Sequence, residues 1–332
     1  MIFHPAIIAL LLSSMFICFM VLYAASCGIQ ILRHWNLRSG SEFQLSLERK
    51  TYLVSSMLSY AFGFQLMSLF LFVYTADRIC PFFVGAMCAA GSLYANGYGY
   101  PVLLFKVMNF LAAGFWLLLN FTDNQAPDYP LIRKRYVLLL ALAVLIPVEA
   151  VLQANYFVRL SPNIITSCCG SLFSGDAAGG PADIAALPAP VMKIVFFISL
   201  AATLMTGAVY VAKGKGAYLF SALCATSFVV SILSILSFIS PYVYELPTHH
   251  CPFCLLQREY GYIGYPLYLA LFAATILGTG VGILMPFRGI ESLSGIIPSI
   301  QKRLALAAIA LFAVFALMAS WKIFSSILIL NG

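Results

Sequence analysis

Charged residues are scarce in this chain. They make up 9% of the 332 residues, whereas hydrophobic residues make up 62% and the mean hydropathy is +0.98. Because a soluble domain carries about 25% charged residues, this scarcity excludes a soluble globular protein and indicates an integral membrane protein. The apolar runs also lack the alternation of apolar and polar residues that transmembrane β-strands show, which excludes a β-barrel.

Eight apolar runs are long enough to cross a bilayer core, which needs roughly 20 helical residues. They predict an all-α polytopic membrane helical bundle with about eight transmembrane helices, at Ala6 to Leu32, Thr51 to Ala76, Pro101 to Phe121, Tyr136 to Val158, Val191 to Ala212, Ala217 to Tyr244, Tyr260 to Phe287 and Leu304 to Leu330. We expect a four-helix module at 1–160, a mobile outward loop rich in Gly, Ala and Pro at 161–190, and a second four-helix module at 191–332.

Basic residues are sparse in every second loop, and this asymmetry predicts the orientation. Lys and Arg that flank a span are retained on the cytoplasmic side. Twelve of the eighteen basic residues follow spans 1, 3, 5 and 7, namely Arg33, Arg38, Arg49, Lys50, Arg133, Lys134, Arg135, Lys213, Lys215, Arg288, Lys302 and Arg303. Both termini are therefore expected on the outer face, most simply in a bacterial inner membrane with the other loops in the periplasm. The net charge of +7 follows from this retention, and no nucleic-acid partner is expected.

Six of the nine cysteines form three pairs, each in a loop expected outside: Cys80 with Cys88, Cys168 with Cys169, and Cys251 with Cys254. The other three fall within spans, where they are expected to be small buried apolar residues: Cys18, Cys27 and Cys224. Outside the cytoplasm, disulfides form and persist. The six outward cysteines are therefore candidate catalytic residues of thiol-disulfide chemistry.

The pair Cys251-Pro-Phe-Cys254 is followed at once by Leu255, Leu256, Gln257 and Arg258. We expect Cys254 to lie at the start of span 7, where the helix dipole and Arg258 favour the reactive thiolate. Arg258, one turn deeper, would donate to a carbonyl oxygen of a bound electron acceptor, with Gln257 and Tyr262 as further contacts of that acceptor. An inert disulfide or a metal clip is the alternative for the pair.

The segment from Thr248 to Arg258 resembles the DsbB family of quinone-linked disulfide-forming membrane proteins, and more loosely the vitamin K epoxide reductase family. In the DsbB family a Cys-x-x-Cys begins a helix at the periplasmic surface, and an Arg four residues after the second cysteine contacts the quinone. Arg258 has that spacing from Cys254. The resemblance implies a ubiquinone or menaquinone cofactor and an exported thiol protein or periplasmic redox partner. DsbB-like proteins are four-helix units with two cysteine pairs, whereas this chain has eight spans and three pairs.

His249 and His250 precede the Cys-x-x-Cys and leave two chemistries open. With Cys251, Cys254, Cys168 and Cys169 they form a ligand set for copper, mercury or zinc. They are equally suited to take the proton that a thiol releases on oxidation, or to be solvated loop residues. Covalent haem is excluded, because it needs the His directly after the Cys-x-x-Cys.

The two other cysteine pairs differ in spacing. On a continuous helix Cys80 and Cys88 would be about 12 Å apart, so a disulfide requires a turn, which Pro81, Gly85 and Gly91 favour. Cys168 and Cys169 are adjacent, which favours exchange with other cysteines or a grip on a soft metal ion.

Three functions of different class therefore compete. The first is a membrane thiol-disulfide oxidoreductase that exchanges electrons between the outward cysteines and a membrane quinone. The second is a soft-metal transporter or chaperone that uses the same thiols. A non-catalytic membrane subunit of a respiratory or assembly complex, with the cysteines as staples, is a third. Within the spans, Glu149 is expected to handle protons or to pair with Lys106.

Overall fold

The structure is a computed structural model that describes residues 3–36, 41–161, 166, 187–328 and 330. Over these residues the chain is helical, without β-strands, as the sequence predicts. The helices are α1 (Pro5–His34), α2 (Glu42–Arg78), α3 (Ala89–Tyr94), α4 (Gly99–Asp123), α5 (Ile132–Val158), α6 (Ala189–Lys213), α7 (Ala217–Ser234), α8 (Ser240–Tyr244), α9 (Gly264–Ile283) and α10 (Ile296–Ser325). A π-helical turn at Ile235–Ile239 joins α7 to α8, so that together they make one span.

Eight of these helical stretches are long and apolar enough to cross a membrane, which confirms the eight predicted spans. The ends differ by several residues. Span 2 begins at Glu42, earlier than the predicted Thr51. Its first turns are polar but consist mostly of good helix formers, so the helix extends beyond the apolar run that a bilayer requires.

The chain divides into two compact units, and the first comprises Met1–Thr75, Ala95–Pro162 and Gly289–Ile296. In it α1 and α4 pack along α5 around an apolar core. Phe62 and Trp116 meet edge to face there, with ring centroids 4.9 Å apart. The expected pairing of Glu149 with Lys106 is confirmed, since Lys106 Nζ lies 2.7 Å from Glu149 Oε1 and both side chains are buried.

The second unit comprises Ala76–Tyr94, Asn163–Arg288 and Ile297–Gly332. Here α6 and α9 pack along α7. Gly282 allows close packing of α9 on α7, because a Cβ at this position would come 2.6 Å from Cβ of Ser221. This unit holds both the segment with Cys80 and Cys88 and the Cys-x-x-Cys. The predicted modules at 1–160 and 191–332 stay a prediction, and most of the expected loop at 161–190 lies outside the described residues.

Candidate functional site

Three cysteines from distant parts of the sequence meet in the second unit. The Sγ atoms of Cys88, Cys251 and Cys254 all lie within 4.8 Å of one another. Cys88 Sγ is 3.5 Å from Cys251 Sγ, although 163 residues separate the two along the chain. Cys88 and Cys251 are fully buried, and Cys254 is 3% exposed. We call these three residues the cysteine cluster.

The segment that carries Cys88 turns sharply, as Pro81 and Gly85 predict. A 3₁₀ turn at Cys80–Phe82 has Pro81 in its first positions, and Gly85 follows with a φ of +87°. A Cβ at Gly85 would also come 2.6 Å from the carbonyl oxygen of Thr166. The position therefore requires glycine for two reasons, the positive φ and the lack of space for a side chain. This turn ends at Cys88, directly before α3. Cys80 is buried as well but is not a member of the cysteine cluster.

The prediction that Cys254 begins the long helix of span 7 is wrong. Cys254–Leu256 and Arg258–Tyr260 are separate 3₁₀ turns, and α9 begins only at Gly264. Gln257 between the turns is extended, with a ψ of 158°. Gly261 and Tyr262 then have φ values of +67° and +56°. These left-handed residues interrupt the helix, so the dipole of α9 does not act on Cys254.

Four side-chain hydrogen bonds hold the segment that carries the Cys-x-x-Cys. Tyr244 Oη donates to the carbonyl of Cys251 at 2.6 Å, and Tyr268 Oη donates to that of Pro252 at 2.9 Å. Nε2 of Gln257 donates to Asp77 Oδ1 at 3.0 Å and to the carbonyl of Met87 at 2.9 Å. Gln257 therefore ties the Cys-x-x-Cys segment to the residue that precedes Cys88.

The two histidines have different surroundings. His249 Nε2 lies 3.3 Å from Cys254 Sγ, where the imidazole can exchange a proton with the thiol. Its ring meets that of Tyr244 edge to face, with centroids 4.7 Å apart. His250 Nδ1 lies 2.9 Å from the carbonyl oxygen of Leu236 in the π-helical turn. Since a carbonyl only accepts, Nδ1 of His250 carries the hydrogen.

The ring of Tyr260 also packs against that of Tyr244, with ring centroids 4.5 Å apart. Burial raises the pKa of the Tyr260 hydroxyl, and negative charge on Cys254, Glu259 and Cys251 raises it further. Tyr260 therefore stays neutral at physiological pH.

The remaining predicted site residues fall into two groups. The side chains of Arg258 and Tyr262 are exposed, and Cys168 and Cys169 lie outside the described residues. Three residues of the site were not predicted: Asp77, Tyr244 and Tyr268. The sequence offers only a weak indication of Asp77, which is one of eleven acidic residues and lies at the end of a span.

Comparison of the chain with protein-family models, with curated proteins and with solved structures finds no match in any of the three.

Proposed function

We propose that the chain is a membrane thiol-disulfide oxidoreductase that exchanges electrons between its cysteines and a membrane quinone. The cysteine cluster carries this proposal. Thiol-disulfide exchange needs an attacking, a central and a leaving sulfur. Cys88 Sγ lies 3.5 Å from Cys251 Sγ, and Cys254 lies in the same 4.8 Å group. A disulfide is about 2.05 Å long, so a small approach of the sulfurs completes the step.

The exchange step conserves electrons. The thiolate of Cys88 attacks Sγ of Cys251 in a Cys251–Cys254 disulfide, the bond from Cys88 to Cys251 forms, and Cys254 leaves as a thiolate. His249 donates a proton to that thiolate through Nε2, which lies 3.3 Å away. In the reverse direction His249 takes the proton and so generates the attacking thiolate.

The quinone step transfers two electrons. The reduced Cys251 and Cys254 give two electrons and two protons to ubiquinone or menaquinone, leaving a disulfide and a quinol. The exposed Arg258 and Tyr262 are the proposed quinone contacts, which the resemblance to the DsbB family supports. Both amide hydrogens of Gln257 are donated to Asp77 and Met87, so we assign it a positioning role.

The burial of the cysteine cluster argues for an internal relay. None of its three side chains is more than 3% exposed, so an exported thiol protein or periplasmic redox partner does not reach them directly. Cys80, Cys168 and Cys169 are the proposed relay to that partner. The basic loops support a placement in a bacterial inner membrane with the cysteines on the outer face.

Thiol-trapping mass spectrometry on the reduced, metal-free protein tests this function. Supplied with a quinone in place of oxygen, Cys251 and Cys254 are expected to form a disulfide as quinol appears, and Arg258→Ala is expected to slow this. Cys88→Ser is expected to leave quinone reduction intact but to block transfer to a reduced dithiol peptide. Cys18→Ser, a change within α1, serves as the matched control. Thiols that stay reduced with quinone contradict the proposal.

A soft-metal transporter or chaperone is the second candidate, and the same geometry favours it. Three sulfurs lie within 4.8 Å, and His249 Nε2 lies 3.3 Å from the sulfur of Cys254. A tetrahedral zinc site with bonds of about 2.3 Å places its sulfurs about 3.8 Å apart. In that function Cys168, Cys169 and His250 would lie on the route to the site. Stoichiometric zinc, copper or mercury binding by the reduced protein, with no response to quinone, would favour it.

If the chain is instead a non-catalytic membrane subunit, a third result is expected. Its cysteines would form structural disulfides, which would stay oxidised under mild reductant and would respond neither to quinone nor to metal. The same thiol map therefore separates all three functions.

A further inference from the structure

A second group of polar side chains lies in the first unit, around Arg135. This residue was assigned to a basic loop from the sequence, but it lies in the first turn of α5 and is completely buried. Its Nη1 donates to Asn120 Oδ1 and lies 3.5 Å from Asp123 Oδ2. Ser55 Oγ is also near, at 3.4 Å.

The opposite edge of the guanidinium has no such partners. Among the described residues, Nε and Nη2 of Arg135 are buried without a hydrogen bond. These two N–H groups point in parallel and form the fork that matches the two oxygens of a carboxylate. Asp123 meets Nη1, so the fork remains open to a second acceptor.

Three further buried groups lie close to this fork. Thr51 Oγ1, Trp116 Nε1 and Tyr136 Oη are also without a hydrogen bond among the described residues. The Arg135 guanidinium lies 5.4 Å from the Tyr136 ring and 5.9 Å from the Trp116 ring. The Tyr136 hydroxyl lies beside both Thr51 and Arg135 and interacts with each. We call Thr51, Trp116, Arg135 and Tyr136 the donor cage.

An unpaired buried donor is costly, because it has given up water and gained nothing. The carboxylate of the buried ion pair in the same unit, by contrast, has a donor on each of its oxygens. Both oxygens of Glu149 accept bonds, one from Lys106 at 2.7 Å and the other from Gln65 and Asn109 at 2.6 Å. Among the described residues around Arg135, the donors without a hydrogen bond outnumber the one such acceptor, Asp123 Oδ2, which lies 3.5 Å from Nη1. The edge formed by Nε and Nη2 therefore calls for a further acceptor.

We propose that the donor cage binds a small planar oxyanion, a carboxylate. The Arg135 fork would hold its two oxygens, and the Tyr136, Thr51 and Trp116 donors would complete its coordination. No residue of the cage is more than 2% exposed, so the ligand is enclosed and small. The local charge is favourable as well, since exposed basic residues adjoin the cage on α2 and α5: Arg49, Lys50, Arg133 and Lys134.

Binding of carbon-13-labelled formate and acetate to the full-length protein in lipid nanodiscs tests the site at constant ionic strength. We expect saturable binding of one anion per chain, with chloride a poor competitor. Arg135→Lys keeps the charge but removes the fork, and Tyr136→Phe removes one donor. Each is expected to weaken binding about tenfold or more. Arg133→Lys, an exposed neighbour on the same helix, is the matched control and is expected to bind as the unmodified protein does.

The outcomes separate cleanly. The proposal is overturned if the folded protein shows no saturable binding, which would mean that the cage holds only water. It is also overturned if chloride binds as tightly as formate. If Arg135→Lys does not fold, Tyr136→Phe and Thr51→Val decide the question. Octanoate, tested alongside, shows whether the carboxylate comes from a free solute or from an acyl chain. This test does not depend on the cysteines, so its failure leaves the proposed function unaffected.

Discussion

The bond pair made by Gln257 gives the sharpest test of how the cysteine cluster is held together. Gln257→Glu removes both N–H donors, and with them the bonds to Asp77 Oδ1 and the Met87 carbonyl. It also places a second carboxylate opposite Asp77. We expect the segment that carries Cys88 to separate more often from the Cys-x-x-Cys segment.

The size of this effect follows from the contacts. A bond to a charged acceptor and one to a carbonyl would contribute about 3 kcal/mol if buried. Both side chains, Gln257 and Asp77, are only partly buried, so solvent reduces the pair to about 1 kcal/mol. Repulsion between the two carboxylates adds about 1 kcal/mol. A total of about 2 kcal/mol corresponds to a roughly 30-fold lower effective concentration of Cys88 at Cys251.

The assay is the equilibrium between the Cys88–Cys251 disulfide and a glutathione redox buffer, followed by thiol-trapping mass spectrometry. Gln257→Glu is expected to shift this equilibrium toward the reduced thiols. Adding Asp77→Asn should restore it, because the new amide can donate to the new carboxylate. An unchanged equilibrium in Gln257→Glu, or no recovery in the double variant, would refute the role of this contact.

Three other predictions concern individual contacts. His249→Gln removes the proposed proton acceptor, which lies 3.3 Å from Cys254 Sγ, and is expected to slow thiol-disulfide exchange about 100-fold at pH 7. The difference from the unmodified protein is expected to shrink as the pH rises, because hydroxide then removes the thiol proton. Stopped-flow rates against pH check this, and parallel profiles would contradict it. Gly85→Ala places a side chain at a φ of +87° and against Thr166. We therefore expect the free energy of unfolding to fall by about 2–4 kcal/mol, with a lower thermal midpoint. Gly97→Ala is the control and should be nearly neutral, because no described atom beyond its chain neighbours lies within 4 Å of the added Cβ. Glu149→Gln leaves Lys106 buried without its counter-ion and is expected to destabilise the protein by about 3–5 kcal/mol. Adding Lys106→Met should recover much of this loss. If a thermal scan finds the Glu149→Gln variant as stable as the unmodified protein, the ion pair does not stabilise the fold.

The sequence predicted the spans well because the bilayer imposes a requirement on each run separately. A helix must cover the apolar core with its own residues, so length and hydropathy suffice. The turn before Cys88 was predictable for a similar reason, since Pro81 restricts its own backbone and Gly85 permits a positive φ. The start of α9 was not, because Gln257 and Tyr262 have no intrinsic need for the conformations that they adopt.

The burial of Arg135 in the donor cage likewise could not be predicted from the local sequence. Arg135 follows Arg133 and Lys134 in the sequence, and nothing in that run distinguishes it from its two exposed neighbours. Its burial depends on the face of α5 on which it lies, and on the acceptors that α4 and α2 place there. A count of basic residues per loop therefore assigns all three to the surface.

By itself, the sequence determined that this is an eight-span helical membrane protein, and it pointed to cysteines as the candidate site, since both follow from composition and local pattern. Only the tertiary structure decided which cysteines meet. Cys88 and Cys251 are 163 residues apart, and their contact depends on how whole helices pack and on the Gln257 bonds between two loops. Packing of this kind depends on the shapes of many side chains at once, and no spacing along a single segment encodes it.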